Sequence, residues 1–164
     1  MLIAMALNQS LYEQDFYTWT SEQAQALAQR RVELLDWEHL AQELVFIGAS
    51  EKNEIKNRLV VLLSHLLKWC YQPSKRSISW FTTIANQRDD LQDLLTENPG
   101  LRQFVPGLLV RAYRNARREA AAETGLRAET FPEDCSYVIE QVLNAEFICD
   151  TSADFEWTVR KGDV

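Results

Sequence analysis

The chain has 164 residues, a formal net charge of −7 at pH 7 and 46% hydrophobic residues. A chain of this length buries about two-thirds of the surface of its unfolded state, so it can fold as one domain without a metal or a disulfide. The acidic balance argues against a general nucleic-acid binder, whose affinity depends on positive charge. The longest apolar run, 59–63, is far shorter than the about 18 residues that a membrane span needs, so we expect no membrane association.

The first predicted helix covers 11–29. Aromatic residues recur there at helical spacings of four and three: Tyr12, Phe16, Trp19. Thr20 and Ser21 could instead cap a restart, which would divide this region into two short helices.

The longest predicted helix runs from Asp36 to Tyr71, and we expect the fold to be organised around it. Asp36 suits the N-cap position, which places His39 at the third helical position. Gly48 could begin a turn, but the apolar residues keep one helical register across it, which a turn has no reason to preserve. We therefore predict one continuous helix, with or without a bend at Gly48. Its predicted inner stripe is Leu40, Leu44, Ile47, Ile55, Leu59, Leu62 and Leu66.

We expect the next predicted helix to pack antiparallel to the long helix. Pro73 ends the long helix because the residue before a proline disfavours helical geometry. Ser74 or Ser77 can cap the following helix, which ends before Asn98. The short connection predicts that the two helices lie antiparallel.

The remaining pattern completes an all-α fold. We predict a helix over 106–124 with Gly125 at the C′ position, and a last helix over 132–144. The prediction is an antiparallel bundle of four to six helices around one long central helix, in one domain spanning 10–146. In the tail, 147–164, apolar and polar residues alternate as in a strand, so it either packs loosely on the surface or adds to a partner.

The cysteines favour reduced thiols in a cytoplasmic protein. They are odd in number, far apart and without a CxxC pair: Cys70, Cys135 and Cys149. This spacing argues against a disulfide framework and against a zinc ribbon.

A candidate metal site lies at the start of the long helix. Asp36, His39 and Glu43 share one helical stripe, and carboxylates with an imidazole can bind a divalent cation. The same residues also fit an N-cap followed by an exposed pair, which we favour, so we expect neither a metal nor a cofactor. The two histidines cannot share a metal, because 26 residues of continuous helix separate His39 from His65 by about 39 Å.

A second candidate is an inward-facing polar cluster formed by Glu51, His65, Arg88 and Trp80. Antiparallel packing brings Arg88 near Glu51 and Glu54, and His65 near Trp80. The structural interpretation is a buried ion pair with an aromatic-packed histidine; the functional interpretation is a cleft with a perturbed histidine. Nucleophilic catalysis has no support, because adjacent side chains such as Ser64 and His65 point about 100° apart on a helix.

Two basic clusters complete the candidate sites. One lies near the turn after the long helix: Lys68, Lys75 and Arg76. The other is placed on the outer face of the fourth helix: Arg111, Arg114, Arg117 and Arg118. They are either solvated faces or a surface for RNA or an acidic protein.

Several segments together form a recognisable pattern: Tyr12-Glu13-Gln14-Asp15-Phe16 with Trp19, Leu40-Ala41-Gln42-Glu43-Leu44 with Gly48, His65-Leu66-Leu67-Lys68-Trp69 with Pro73, then Trp80, Arg88 and Phe131-Pro132. These segments resemble the bacterial family called "domain of unknown function 29", which is frequent in cyanobacteria. The resemblance covers about Tyr12 to Leu143 and implies a small, all-helical, cytoplasmic protein, but no activity.

These observations lead to three functional hypotheses. The first is a non-enzymatic interaction or regulatory module that binds a protein partner or forms a homo-oligomer, since five tryptophans and an unusual tail provide spare apolar surface. The second is an enzyme or metal-binding protein that uses one of the polar clusters. The third is a binder of RNA or acidic protein through the arginine-rich face.

Overall fold

The computed structural model describes residues 11–148, and within that range the chain forms helices, turns and loops without a strand. The prediction of an all-α fold is therefore confirmed. The main helices are α1 (Phe16–Ala28), α2 (Trp37–Tyr71), α3 (Ile78–Glu97), α4 (Val105–Thr124) and α5 (Ile139–Leu143). A helical turn at 11–14 precedes α1. None of the helices in the described range is long and apolar enough to cross a membrane.

The chain divides into two compact units, Met1–Glu51 and Lys52–Val164, with the boundary inside α2. The assignment of 10–146 to a single domain stays a prediction. The tail, apart from its first two residues, lies outside the described range.

In the first unit, α1 begins later than predicted. Asp15 interrupts the helix and caps α1, because its Oδ1 accepts a hydrogen bond from the N–H of Thr18 at 3.0 Å. The restart therefore occurs at Asp15 and not at Thr20 or Ser21. On the inner side of this unit, Trp19 is 1% exposed and Leu35 is 4% exposed.

The long helix α2 is continuous through Gly48, as predicted. Asp36 caps it, since its Oδ1 accepts from the N–H of His39 at 3.3 Å. A Cβ atom added at Gly48 would meet nothing within 4 Å. A glycine inside a helix costs about 1 kcal/mol relative to alanine, and no contact within the described chain requires it here.

The predicted inner stripe of α2 is only half buried. Ile55, Leu59, Leu62 and Leu66 are fully buried, whereas Leu44 is 70% exposed and Ile47 is 56% exposed. The prediction that the N-terminal half of α2 packs inward is therefore wrong. Periodicity reports which residues share a face, but it does not report whether another element lies opposite that face.

The second unit forms around the buried half of α2. Its core combines residues of α2, α3 and α4 with Phe131 and Val142. Trp69 of α2 lies 6.2 Å from Phe81 of α3, between ring centroids, and Arg58 pairs with Asp90 further along. Residues near the turn at Pro73 contact each other across the two helices, and residues farther from the turn contact each other as well. This order of contacts confirms the antiparallel packing.

One expectation for the C-terminal part of this unit is wrong. The last helix is confined to Ile139–Leu143, because the chain ahead of it is held in a non-helical path. There Tyr113 donates its hydroxyl to the carbonyl of Pro132 at 2.8 Å, and Arg117 Nε donates to the carbonyl of Phe131 at 3.2 Å.

The expectation of reduced thiols is also wrong in part. Cys70 takes part in a disulfide, whereas Cys135 is a free, half-buried thiol.

Candidate functional site

A buried lysine is the centre of the first candidate site. The side chain of Lys68 is 3% exposed, although α2 is surrounded by apolar residues at this level. Its Nζ forms an ion pair with Glu123 of α4, lies 3.2 Å from Nε2 of His65, and lies 5.1 Å from the ring centroid of Trp80 of α3. We call Lys68, His65, Trp80 and Glu123 the lysine cluster.

The hydrogen bonds of His65 define its tautomer. Nδ1 lies 2.9 Å from the carbonyl oxygen of Val61 and so carries the proton. Nε2 is then the acceptor for the ammonium of Lys68. Burial lowers the pKa of His65, and the positive charge of Lys68 lowers it further. The neutral imidazole is therefore the form that fits this site.

The lysine cluster satisfies its own polar groups. The ammonium of Lys68 has a carboxylate, an imidazole nitrogen and an aromatic face as neighbours. A buried cation needs such partners, because its desolvation is otherwise uncompensated. The arrangement thus ties α2 to α3 and α4.

The predicted polar cluster is only partly brought together. His65 and Trp80 both approach Lys68, but Arg88, which is 4% exposed, points elsewhere. Its Nε donates to the carbonyl of Val142 at 2.8 Å, its Nη1 donates to the carbonyl of Ala145 at 3.3 Å, and its Nη2 donates to that of Phe147. Burial lowers the pKa of Arg88.

The predicted ion pair between Arg88 and an acid of α2 is therefore corrected. Glu54 pairs instead with Nε of Arg58 at 2.8 Å, one turn along α2. Glu51 is half-buried and fourteen residues before His65, a separation of about 21 Å along a continuous helix. Backbone carbonyls, which carry no sequence signature, took the place of the expected carboxylate.

The first unit contains a second polar group, the aspartate–histidine cluster of Asp36, His39, Trp19 and Gln23. Asp36 Oδ2 accepts from Nε1 of Trp19 at 3.3 Å and lies 2.8 Å from Nδ1 of His39. The N–H of Asp36 donates to Oε1 of Gln23 at 2.8 Å. These bonds fix the turn between α1 and α2.

An aromatic side chain covers this cluster. Tyr12 stacks on His39, with 3.9 Å between ring centroids, and its hydroxyl donates to Oε1 of Glu43 at 2.6 Å. This bond to Glu43 raises the pKa of Tyr12. The residues of the metal hypothesis are thus bonded to each other or to Tyr12. Across 11–148, no three His, Cys, Asp or Glu side chains are placed to hold a metal ion.

The basic clusters differ from their predicted form. Arg111, Arg114 and Arg118 are exposed on α4, but Arg117 turns inward to Phe131. A shallow open depression on this face is lined by Asn115, Arg118, Glu119 and Ala122.

In the cluster near Pro73, Lys68 is buried and Arg76 donates to the carbonyl of Trp69 at 2.9 Å. Lys75 is exposed. That cluster is therefore not one solvated basic face.

The most unusual surface is a run of four exposed apolar residues on α2. The exposed fractions are 70% for Leu44, 74% for Val45, 67% for Phe46 and 56% for Ile47. Successive residues point about 100° apart, so this exposed apolar segment is apolar on several sides of the helix. Such a patch is typical of an interaction surface.

Sequence reasoning missed the roles of Lys68 and Glu123. A signal was present, because Lys68 lies three residues after His65 within a run of apolar residues, and a lysine inside a buried run requires a partner. Nothing local identifies Glu123, which is 55 residues away.

A family model described as "Domain of unknown function DUF29" matches residues 11–148. No curated protein matches the chain. No solved structure matches it either.

Proposed function

The chain belongs to the family described as domain of unknown function DUF29, and we propose that it is a non-enzymatic interaction module that self-associates through α2. The cytoplasmic location that we propose with it rests on the family resemblance alone, since the disulfide of Cys70 removes the argument from reduced thiols.

The exposed apolar segment carries the proposal. Each of the four side chains from Leu44 to Ile47 is more than half exposed. Covering them would remove apolar surface from water, which is the main favourable term in protein association. The segment lies on a regular helix, so it is held in shape before a partner arrives.

The polar clusters support the same proposal. The lysine cluster, Arg88 and the aspartate–histidine cluster each use their polar atoms on neighbouring groups of the chain. We therefore assign them to fixing the helices, and we assign function to the exposed apolar segment.

The test is the mass of the protein in solution. Sedimentation velocity and light scattering over a range of concentrations should give a mass above that of the monomer for the wild type. The double variant L44S/F46S should shift the mass toward the monomer, because it removes apolar area from the contact.

Ile78→Ser is the matched control, because Ile78 is 84% exposed but lies at the start of α3. It should self-associate like the wild type. A wild-type protein that stays monomeric at every concentration would overturn the proposal.

A further inference from the structure

One face of the N-terminal half of α2 is symmetric about Val45. We call this face the pairing face, and it consists of Glu38, Ala41, Val45, Ala49 and Lys52. On a helix, these side chains all point within about 40° of the direction of Val45. Val45 is 74% exposed, and Ala41, Ala49 and Glu38 are exposed as well.

The residues of the pairing face have the same spacing in both directions along the helix from Val45. Ala41 and Ala49 lie four residues before and after Val45, and Glu38 and Lys52 lie seven residues before and after it. A twofold axis makes each contact occur twice, residue i with j and j with i. In an antiparallel pair with the axis at Val45, Val45 meets its own copy, Ala41 meets Ala49, and Glu38 meets Lys52.

The charges at the two ends of the face are opposite in sign. Neither Glu38 nor Lys52 has an ion-pair partner within 11–148. The Nζ of Lys52 lies 3.7 Å from the ring centroid of Phe104, which leaves its charge without a carboxylate. In the antiparallel pair, each of these two charges lies opposite a residue of the other copy that carries the opposite charge.

Gly48 is consistent with the close approach of another helix. A side chain at this position would meet nothing in the chain itself, so the fold of one copy does not require glycine. Gly48 lies about 60° from Val45 at the edge of the pairing face. A missing side chain there lets a second backbone come closer.

From these observations we propose that the partner that covers Leu44, Val45 and Phe46 of the exposed apolar segment is a second copy of this chain, bound antiparallel with Val45 at the twofold axis. Leu44 and Phe46 flank the pairing face on its two sides, where side chains of that length cover the rim of the contact. This inference rests on the proposed function and adds to it the partner, the direction and the register.

Cysteine cross-linking of the full-length protein tests the register. V45C should form a disulfide-linked dimer under mild oxidation. A41C alone should not, because the two copies of residue 41 lie about 12 Å apart along the axis, beyond the reach of a disulfide. A41C mixed with A49C should form the linked dimer.

The wild type, which keeps the half-buried thiol of Cys135, and I78C are the controls. Linking of V45C no stronger than that of I78C would overturn the register.

Charge reversal tests the direction. E38K and K52E should each weaken self-association at least about tenfold, because each change turns two attractive pairs into repulsive ones. The double variant E38K/K52E should return to within about threefold of the wild type. Thermal unfolding is measured in parallel, since K52E also loses the contact with Phe104. A double variant as weak as the single variants would overturn the antiparallel arrangement.

The variant G48A separates folding from pairing. It should not lower the thermal midpoint of the monomer, but it should raise the dissociation constant roughly tenfold by crowding the contact. A wild-type monomer would defeat both the proposed function and this inference. A dimer that fails the cross-linking and charge tests would defeat only the inference.

Discussion

Lys68 shows how a single polar side chain can connect several elements of a helical core. Its ammonium contacts groups from α2, α3 and α4 while its side chain is 3% exposed. Because burying a charge is favourable only when its partners are in place, the site is sensitive to the loss of any one of them.

Removal of the carboxylate of Glu123 should destabilise the fold. We expect E123A to lower the free energy of unfolding by about 1–3 kcal/mol, since it leaves the buried ammonium without its anion. The measurement is urea unfolding at a concentration where self-association is absent. E119A, on the exposed side of the same helix, should change the stability by less than about 0.5 kcal/mol. Equal effects of the two variants would contradict a role for the ion pair.

His65 should make stability depend on pH. The folded state lowers the pKa of His65 below its ordinary value of about 6.5, so the unfolded chain binds more protons in the window just below that value. Stability should then fall as the pH decreases through about 6.5 toward the folded pKa. The charged groups that face His65 are Lys68 and Glu123.

Unfolding of the wild type and of H65Q between about pH 7.5 and 5.5 checks this dependence. The variant should lose stability less steeply on acidification, because glutamine does not titrate. Parallel curves for the two proteins would show that His65 does not contribute.

At the scale of elements, α2 is one helix with two environments. Its C-terminal half lies in the core of the second unit, and its N-terminal half carries the exposed apolar segment. Both halves have the same periodicity and similar residues. The difference between them is therefore a property of the packing and not of the helix.

Matched leucines in the two halves should respond differently to truncation. L62A removes a fully buried side chain and should lower the free energy of unfolding by about 2–5 kcal/mol. L44A removes a side chain that is 70% exposed and should change it by less than about 0.5 kcal/mol. Chemical denaturation of both variants at low protein concentration is the measurement, and a similar cost for both would contradict the division of α2.

At the scale of the whole molecule, Arg88 connects distant parts of the second unit. Its guanidinium donates to three carbonyls that lie 54 to 59 residues further along the chain. The carbonyls belong to the short helix α5 and the residues that follow it. Arg88 thus holds the end of the described chain against α3.

R88A should loosen this end of the molecule. We expect the free energy of unfolding to fall by about 2–4 kcal/mol, because hydrogen bonds to a charged group are lost and the buried carbonyl of Val142 is left unpaired. Relative to the wild type, hydrogen exchange should accelerate more for residues 139–148 than for α4. The exposed Arg114 provides the control variant, R114A, which should leave the exchange unchanged. Unaltered protection of 139–148 in R88A would argue against this role.

Features that depend on neighbouring residues are predictable from the sequence. The caps at Asp36 and Ser77, the continuity of α2 through Gly48 and the end of α4 at Gly125 all follow from signals within one or two helical turns. These features establish the all-α class and most of the helix boundaries. The family resemblance came from the same short segments.

Whether a helix face is covered by another element depends on contacts between residues that are far apart in the chain. The exposure of Leu44, the pairing of Lys68 with Glu123 and the binding of Arg88 to backbone carbonyls join or separate residues that are far apart in the chain. The predicted helix over 132–144 failed for the same reason, since Tyr113 and Arg117 hold the preceding carbonyls. Long-range contacts override local preference because a buried polar group must find its partner wherever the fold places one.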